Sequence, residues 1–161
     1  MENLSEKSSI KGKIRIVTTD AKTGRVLRST PWSPNMVMLG ANTGKDIILD
    51  RLNSENTYSL NITHADIGTG TTPAAASDTA LETAVARATK ATGVVSGGVL
   101  SLQFFYADAN LANGTYREFG SFVDGSASVD TGQIFNRALF GSPYTKATGE
   151  DTTIELDITI T

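Results

Sequence analysis

The last ten residues of the chain alternate between apolar and polar side chains, the pattern of a strand with one face in a core. The residues expected to face the core are spaced two apart: Ile154, Leu156, Ile158 and Ile160. A period of two belongs to a strand, whereas a helix repeats every 3.6 residues. Because the same alternation recurs in several short segments separated by turn residues, the sequence predicts a mainly β, antiparallel fold.

Turn signals divide the chain into some eight predicted strands. Asp20–Gly24 and Ser96–Gly98 indicate hairpins, and Asn113-Gly114 is a further turn signal. The predicted strands cover residues 13–18, 25–30, 57–63, 87–95, 99–106, 115–123, 133–140 and 152–161, and Ser142-Pro143 is expected to end the strand at 133–140. So many strands with one or two short helices predict an antiparallel β-sandwich.

One helix is predicted from about 41 to 53, packed on the sheets. Ile47, Ile48 and Leu52 are compatible with one apolar stripe, and Asn53 could supply the C-terminal cap. At 161 residues the chain is long enough for a single domain with a real core, predicted over residues 12–161. Residues 1–11 are polar and mixed in charge, which predicts a flexible N-terminal arm: either a disordered tail or a segment that orders on a neighbouring subunit.

Composition excludes several classes of function. The net charge is −3, with 14 basic and 17 acidic residues, so there is no electrostatic case for gripping nucleic acid. The absence of cysteine excludes disulfides and thiolate ligands, and His64, the only histidine, has only Asp66 nearby as a second metal ligand. We expect no metal and no cofactor. No apolar run approaches the roughly 18 to 20 residues of a membrane helix, and no signal-peptide core follows Met1, so we expect a cytoplasmic product without membrane contact.

The stretch from Asp66 to Glu82 carries little charge and few large side chains. Gly68 and Gly70 permit positive φ or close backbone approach, and Pro73 fixes its own φ. Thr79 and Glu82 have the spacing of a capping box, which predicts a short helical turn over 78–84. A dinucleotide loop would need a third glycine where Pro73 stands, and the Gly-Lys-Ser/Thr ending of a P-loop is absent.

This stretch also carries a family resemblance. Ile67-Gly68-Thr69-Gly70-Thr71-Thr72-Pro73, followed by Ser77-Asp78-Thr79-Ala80-Leu81-Glu82, resembles a motif of small structural proteins of tailed bacteriophages, described as tail-fibre or minor virion proteins. Further matching pieces are Asn35–Val37, Tyr116–Phe122 and Arg137–Phe140, so the resemblance spans about residues 12–161. One departure is that the usual E-x-x-R after the turn is replaced by Glu82 and Arg87, which are five residues apart.

The resemblance implies a non-enzymatic structural protein of the virion in the tail, baseplate, collar or fibre. Such a protein acts by self-association and by docking on other virion proteins, after synthesis in the host cytoplasm. Two alternatives remain open. One is a head decoration (cement) protein. The other is a carbohydrate- or receptor-binding module at a fibre tip, which would hold a host-surface glycan on exposed aromatic residues; the candidates are Trp32, Tyr58, Tyr106, Tyr116 and Tyr144.

Two sets of residues are candidates for specific roles. Interface candidates are Trp32, Gly68, Gly70 and Pro73; Trp32 either anchors a partner or closes one end of its own core. Glu118 and Arg137 lie among apolar residues of neighbouring predicted strands, where a buried cross-strand ion pair would explain both charges; alternatively both face solvent. The remaining carboxylates are scattered, and neither a glycosidase pair nor a calcium site can be assigned among Asp108, Asp124, Asp130, Glu150, Asp151, Glu155 and Asp157.

Overall fold

Nine strands and one α-helix make up the computed structural model of the chain, which describes residues 9–161. In chain order the elements are β1 (Ile10–Asp20), β2 (Val26–Ser29), β3 (Ser33–Val37), α1 (Gly44–Leu52), β4 (Ile62–Gly68), β5 (Ala84–Ser96), β6 (Val99–Tyr106), a 3-10 turn (Asp108–Asn110), β7 (Gly114–Val123), β8 (Gln133–Lys146) and β9 (Glu150–Ile160). The prediction of a mainly β, antiparallel fold is therefore confirmed.

The strands close into an eight-stranded antiparallel barrel. Its order is β1-β3-β8-β7-β4-β5-β6-β9, and β9 returns to β1 along the whole length of both strands, from Ile10 opposite Ile160 to Asp20 opposite Glu150. The short β2 pairs only with the second half of β1, outside the ring. The predicted sandwich is thus corrected to a barrel. Because β1 is paired along both of its edges, the sheet has no need of a second packed sheet to protect them.

The barrel interior holds most of the apolar core. β9 contributes Ile154, Leu156 and Ile158 to it, as its alternation predicts, but Ile160 is 68% exposed because the strand has passed the end of the barrel. The other large residues that fill the interior are Ile14, Ile16, Ile67, Leu102, Phe104, Tyr106, Leu111, Tyr116, Phe119 and Tyr144.

Several element boundaries differ from the prediction. β1 begins at Ile10, and Ser9 exchanges backbone hydrogen bonds with Thr161, so the end of the predicted arm belongs to the barrel. Residues 1–8, the rest of that arm, lie outside the described residues. β4 begins at Ile62 because Leu60 has a φ of 63°, which interrupts an extended chain. β8 continues past Pro143, which falls where the β7–β8 register shifts, a position that tolerates proline.

The helix α1 lies across the barrel end at which β1 begins and β9 finishes. Asn53 is its C-cap, as predicted, and Ile47 is fully buried against the barrel core. The predicted single stripe is wrong in part. Ile48 is half-buried and Leu52 is 78% exposed, because the residues one and five positions after Ile47 turn away from the barrel.

Residues 69–83, which we call the strap, connect β4 to β5 across the outside of the barrel. The helical turn predicted over 78–84 does not form there. Leu81 of the strap packs with Met38, Phe122 and Ile134 in a second, smaller core on the outer face of the barrel. Phe122 and Ile134 are opposite each other in β7 and β8, so this part of the barrel wall is buried on both of its faces.

Candidate functional site

Beneath the strap, neighbouring strands align two arginines and one aspartate in a single row. Arg87 of β5 is opposite Asp66 of β4, Asp66 is opposite Gly120 of β7, and Gly120 is opposite Arg137 of β8. Directly opposite residues in antiparallel strands share one face of the sheet. Their sequence neighbours, such as Ala65 and Phe119, fill the barrel interior. The row therefore lies on the outer face of the barrel.

The structure brings Glu118 and Arg137 together, as the sequence analysis proposed. Arg137 Nη2 donates to Glu118 Oε2 at 2.8 Å and Nε donates to the same oxygen at 3.2 Å. The two side chains are 0% and 3% exposed, which makes this a buried pair. Burial by itself would lower the pKa of Arg137, but the hydrogen bonds to Glu118 and Asp78 outweigh it and hold that pKa above its ordinary value.

Both members of the pair also bind the strap. Glu118 accepts backbone hydrogen bonds from Gly70 and Glu82 at 3.0 Å and from Thr83 at 2.7 Å. Arg137 donates to the backbone oxygen of Thr72 at 3.0 Å and to the carboxylate of Asp78 at 2.5 Å. The pair is therefore saturated with partners from its own chain, as a buried charge requires.

Gly68 and Gly70 allow this close approach. A Cβ added to Gly68 would lie 2.7 Å from Glu118 Oε1, and one added to Gly70 would lie 2.6 Å from the Cβ of Glu82. Both glycines, which the sequence offered as interface candidates, are buried beneath the strap, because the backbone itself needs the space beside Glu118. The motif that carries the family resemblance is thus the binding loop for an internal carboxylate.

The predicted capping box is replaced by contacts along the strap. Glu82 Oε2 accepts backbone hydrogen bonds from Thr72 and Thr71, both at 2.7 Å, and these bonds lower the pKa of Glu82. Asp78 accepts one from the backbone of Ala75 at 2.9 Å. Because these carboxylates serve backbone groups up to eleven residues away, there is no helix start for them to cap.

A second buried ion pair, which the sequence analysis did not find, joins Arg87 to Asp66. Arg87 Nε and Nη2 donate to the two oxygens of Asp66 at 2.5 and 3.0 Å, and the side chains are 3% and 0% exposed. Arg87 also stacks over the ring of Phe122, 4.6 Å from its centroid. The resemblance relates Arg87 to Glu82, but its carboxylate partner is Asp66. The sequence pattern that could have indicated this pair is that Arg87 and Asp66 are both charged residues in strand-like segments.

This second pair holds the loop between β7 and β8. Arg87 Nη1 donates to the backbone oxygens of Ser126 at 2.9 Å and Thr131 at 3.0 Å, while Asp66 accepts the backbone N–H of Asp130 at 2.7 Å. Neighbouring His64 lies beside the arginine, and burial together with the charge of Arg87 lowers the pKa of this histidine. These charges therefore fix two outer loops on one barrel face.

The remaining candidate residues are dispersed. Pro73 is exposed on the strap, and Trp32 is 36% exposed with Lys13 Nζ and Arg15 over its ring, 4.5 and 4.9 Å from the centroid. Of the aromatic residues proposed as a glycan platform, Tyr106, Tyr116 and Tyr144 are buried in the core, and Tyr58 is half-buried. The structure does not assemble these side chains into a platform because the strand alternation turns most of them inward.

The other carboxylates bind separate cations or turns. Asp108 pairs with Lys146, Glu150 with Arg28, Glu155 with Arg15, and Asp157 with Lys13. Asp124 binds Ser59, and Asp151 accepts the backbone N–H of Asp108. Within residues 9–161, no three histidine, cysteine, aspartate or glutamate residues are grouped so that they could hold a metal ion.

The two buried ion pairs hold outer loops of the chain against its own barrel. Among the described residues, no helix is long and apolar enough to cross a membrane. Comparison of the chain with protein-family models, with curated proteins and with solved structures found no match.

Proposed function

We propose that this chain is a non-enzymatic structural protein of a tailed-bacteriophage virion, a component of the tail, baseplate, collar or fibre that acts by self-association and docking. The observation that carries the proposal is the position of the residues that form the family resemblance. Gly68, Gly70, Glu118 and Arg137 belong to the pieces that resemble the phage proteins, and all four lie at the attachment of the strap. Their role is to hold a surface loop in one conformation.

The charged groups of this site are poor candidates for catalysis. A catalytic acid or base needs access to a substrate atom at hydrogen-bond distance. Glu118 and Asp66 are 0% exposed, and both accept bonds from arginine and from backbone N–H groups. With their oxygens already engaged and no solvent access, these carboxylates stabilise the fold.

A barrel with fixed outer loops is well suited to assembly. Its edges are closed except at the short β2, which limits uncontrolled strand pairing. Docking on rigid loops also costs less conformational entropy than docking on loops that must first become ordered. The strap presents Thr71, Pro73 and Ser77 to solvent on such a support.

The glycan-binding alternative has less support, since three of its five aromatic candidates are buried. The head-decoration alternative differs from the main proposal only in the position of the chain in the particle.

The proposal is tested by quantitative mass spectrometry of extensively washed virions of a phage that encodes this chain. We expect several copies per particle, at a constant ratio to the major tail protein across independent preparations. A non-structural phage protein serves as the control for carry-over from the lysate. If the chain falls to the level of that control after washing, the proposed function is wrong; a map of the particle would then separate tail from head.

A further inference from the structure

His64 is the only histidine of the chain, and it lies beside the second buried ion pair. It is half-buried in β4, opposite Thr89 of β5 and Phe122 of β7, on the outer face that also carries Asp66. Histidine is the side chain whose ordinary pKa, 6.5, lies closest to neutral pH. The first change of side-chain charge in mild acid is therefore expected at this residue.

The imidazole of His64 lies directly beneath the loop between β7 and β8, residues 124–132. A Cβ added to Gly125 of this loop would lie 3.1 Å from His64 Nδ1 and 3.0 Å from Arg87 Nη1. The two side chains therefore meet under the same point of the loop backbone. At such a separation the charge of one group shifts the pKa of the other, and two cations repel each other.

A chain of hydrogen bonds connects the imidazole to the loop. The backbone N–H of Gly125 donates to Thr63 Oγ1 at 2.9 Å, and the same oxygen lies 2.9 Å from His64 Nδ1. Since the hydroxyl accepts a hydrogen from Gly125, it can donate its own to a neutral imidazole. An imidazolium carries a hydrogen on both ring nitrogens and accepts none, so protonation removes this acceptor of the hydroxyl.

The ion pair beside His64 does not compensate an added proton. Burial lowers the pKa of His64 most, the charge of Arg87 lowers it further, and the charge of Asp66 opposes both. The oxygens of Asp66 are already engaged, because they accept hydrogen bonds from Arg87 and from the backbone N–H of Asp130.

The remaining charged groups near the loop are directed to partners elsewhere: Asp124 to Ser59, Asp130 to Leu81, Lys90 to Asn61 and Glu118 to Arg137. Within residues 9–161, the one hydrogen bond of the His64 ring is the contact with Thr63. An imidazolium at this position therefore has no carboxylate partner.

Arg87 is the residue that holds the loop. Its Nη1 donates to the backbone oxygens of Ser126 at 2.9 Å and of Thr131 at 3.0 Å, and the side chain is 3% exposed. A cation at His64 repels this guanidinium from beneath the loop, where little water screens the two charges. Opening of the loop relieves the repulsion because it admits water to both cations.

The direction of the pH dependence follows from the pKa of His64. Under the closed loop this pKa is lower than its ordinary value of 6.5, which the imidazole approaches once the loop is open. The closed loop is therefore most favoured above pH 6.5, where the imidazole is neutral in both states. It loses stability as the pH falls through the pKa of the closed state.

We propose that His64 is a pH-sensitive switch for the β7–β8 loop: the neutral imidazole lets the loop close on Arg87 and Asp66, and the imidazolium releases it. The loop then has one conformation near neutral pH and is mobile in mild acid, while the strap, held by Glu118 and Arg137, stays in place. The inference does not rest on the proposed function, since it concerns the folded chain in solution.

The test places a single fluorescent label on the full chain, which has no cysteine of its own. Ser128→Cys carries the loop label, and Ser77→Cys, also at an exposed position, carries the strap label as the matched control. As the pH falls from 7.5 to 4.5, we expect the anisotropy of the loop label to fall and that of the strap label to stay constant. Circular dichroism at each pH checks that the barrel remains folded.

Nuclear magnetic resonance reports the charge of the single histidine. We expect the ring C–H signals of His64 to titrate with a midpoint below 6.5 that coincides with the midpoint of the loop label. After correction for the intrinsic pH dependence, hydrogen exchange of the Gly125 and Asp130 backbone N–H groups should show at least about threefold more opening below that midpoint than above it.

Two substitutions of His64 separate its charge from its bulk. In His64→Gln, which stays neutral, the loop label should keep a constant anisotropy over the whole pH range. In His64→Lys, which is positively charged throughout, the loop label should be mobile already at neutral pH. Asp130→Asn is the control for the other titrating group of the loop, and the transition should persist in it.

Four results would overturn the proposal: a loop label that does not respond while the imidazole becomes protonated, a transition that persists in His64→Gln, a midpoint different from that of His64, or a strap label that changes together with the loop label. A transition that only Asp130→Asn abolishes would assign the release to that carboxylate instead. The two proposals fail separately, because a chain recovered in washed virions with an insensitive loop overturns this inference alone, whereas a sensitive loop in a chain absent from virions overturns the proposed function alone.

Discussion

Arg137 Nη2 lies 2.8 Å from Glu118 Oε2 beneath the strap, with both side chains almost completely shielded from solvent. Each partner also binds backbone groups of the strap, so the pair connects two barrel strands to an outer loop. This relationship makes the stability of the fold and the conformation of the strap interdependent.

The effects of removing Glu118 and Arg137 on the free energy of unfolding should not be additive. We expect Arg137→Met to lower the free energy of unfolding by roughly 3 to 5 kcal/mol, because it leaves the buried Glu118 carboxylate without its cation. Glu118→Gln should cost less, because Arg137 keeps the carboxylate of Asp78 as a partner. The double variant should lose less than the sum of the two. Denaturant unfolding in a double-mutant cycle measures both quantities. As a control, Lys13→Met should cost under about 1 kcal/mol, because the Lys13 side chain of the Lys13–Asp157 pair is 49% exposed. Small, additive effects at Glu118 and Arg137 would contradict the pairing.

Gly70 should not tolerate a side chain. We expect Gly70→Ala to lower the free energy of unfolding by about 1 to 3 kcal/mol, since the added methyl group would lie 2.6 Å from the Cβ of Glu82 and against the Glu118 carboxylate. Gly40→Ala is the matched control, because there the nearest atom, Thr43 Oγ1, is at an ordinary distance of 3.5 Å. Chemical denaturation compares the two variants, and equal stability would show that the strap yields at no cost.

Glu150 should make the fold sensitive to acid. The hydrogen bonds from Arg28, with a further one from the backbone of Ala147, lower the pKa of Glu150 from 4.5 to about 2. Because the pKa of Glu150 is lower in the folded chain than in the unfolded chain, its ionised carboxylate stabilises the fold. This stabilisation is fully present above the unfolded pKa of 4.5 and is lost as the pH falls through the folded pKa. We therefore expect wild type to melt higher than Glu150→Gln at neutral pH, with the difference vanishing near the folded pKa. Glu55→Gln, at an exposed position, is the control. A difference in melting temperature that is independent of pH would contradict this assignment.

Asp130 should behave in the opposite sense. Burial, with the nearby charges of Asp66 and Glu118, raises the pKa of Asp130 above 3.8 despite a hydrogen bond from the backbone of Leu81. The ionised carboxylate then costs stability above the folded pKa, and this cost disappears below 3.8, where folded and unfolded chains are both protonated. Asp130→Asn keeps an acceptor and suits the φ of 55° at this position, so we expect a higher melting temperature than wild type at pH 7. Thermal melts at neutral and acid pH check this; a variant that is less stable at neutral pH would refute it.

The local patterns of the sequence predicted eight of the nine strands and α1, but they missed β3, which contains Pro34. Alternation in β9 predicted its three buried apolar residues, and the Gly97-Gly98 hairpin joins β5 to β6 as expected. A pair between Glu118 and Arg137 was one of two alternatives that the sequence left open, because each residue stood among apolar residues of neighbouring strands. These features depend on residues close in the chain, or on consecutive strands, whose relation a sequence displays directly.

Pairing between distant segments decided the rest. The return of β9 to β1 turns a predicted sandwich into a barrel, and alternation cannot distinguish the two because both bury one face of each strand. Likewise Asp66 and Arg87 become partners only through the β4–β5 register, and the strap stays non-helical because Glu118 and Glu82 bind its backbone N–H groups. The sequence by itself determined most of the segments that are strands and identified Glu118 and Arg137 as charges among apolar neighbours. The tertiary structure alone decided which partners they found and which apolar residues of α1 were left in solvent, because burial depends on contacts between residues far apart in the chain.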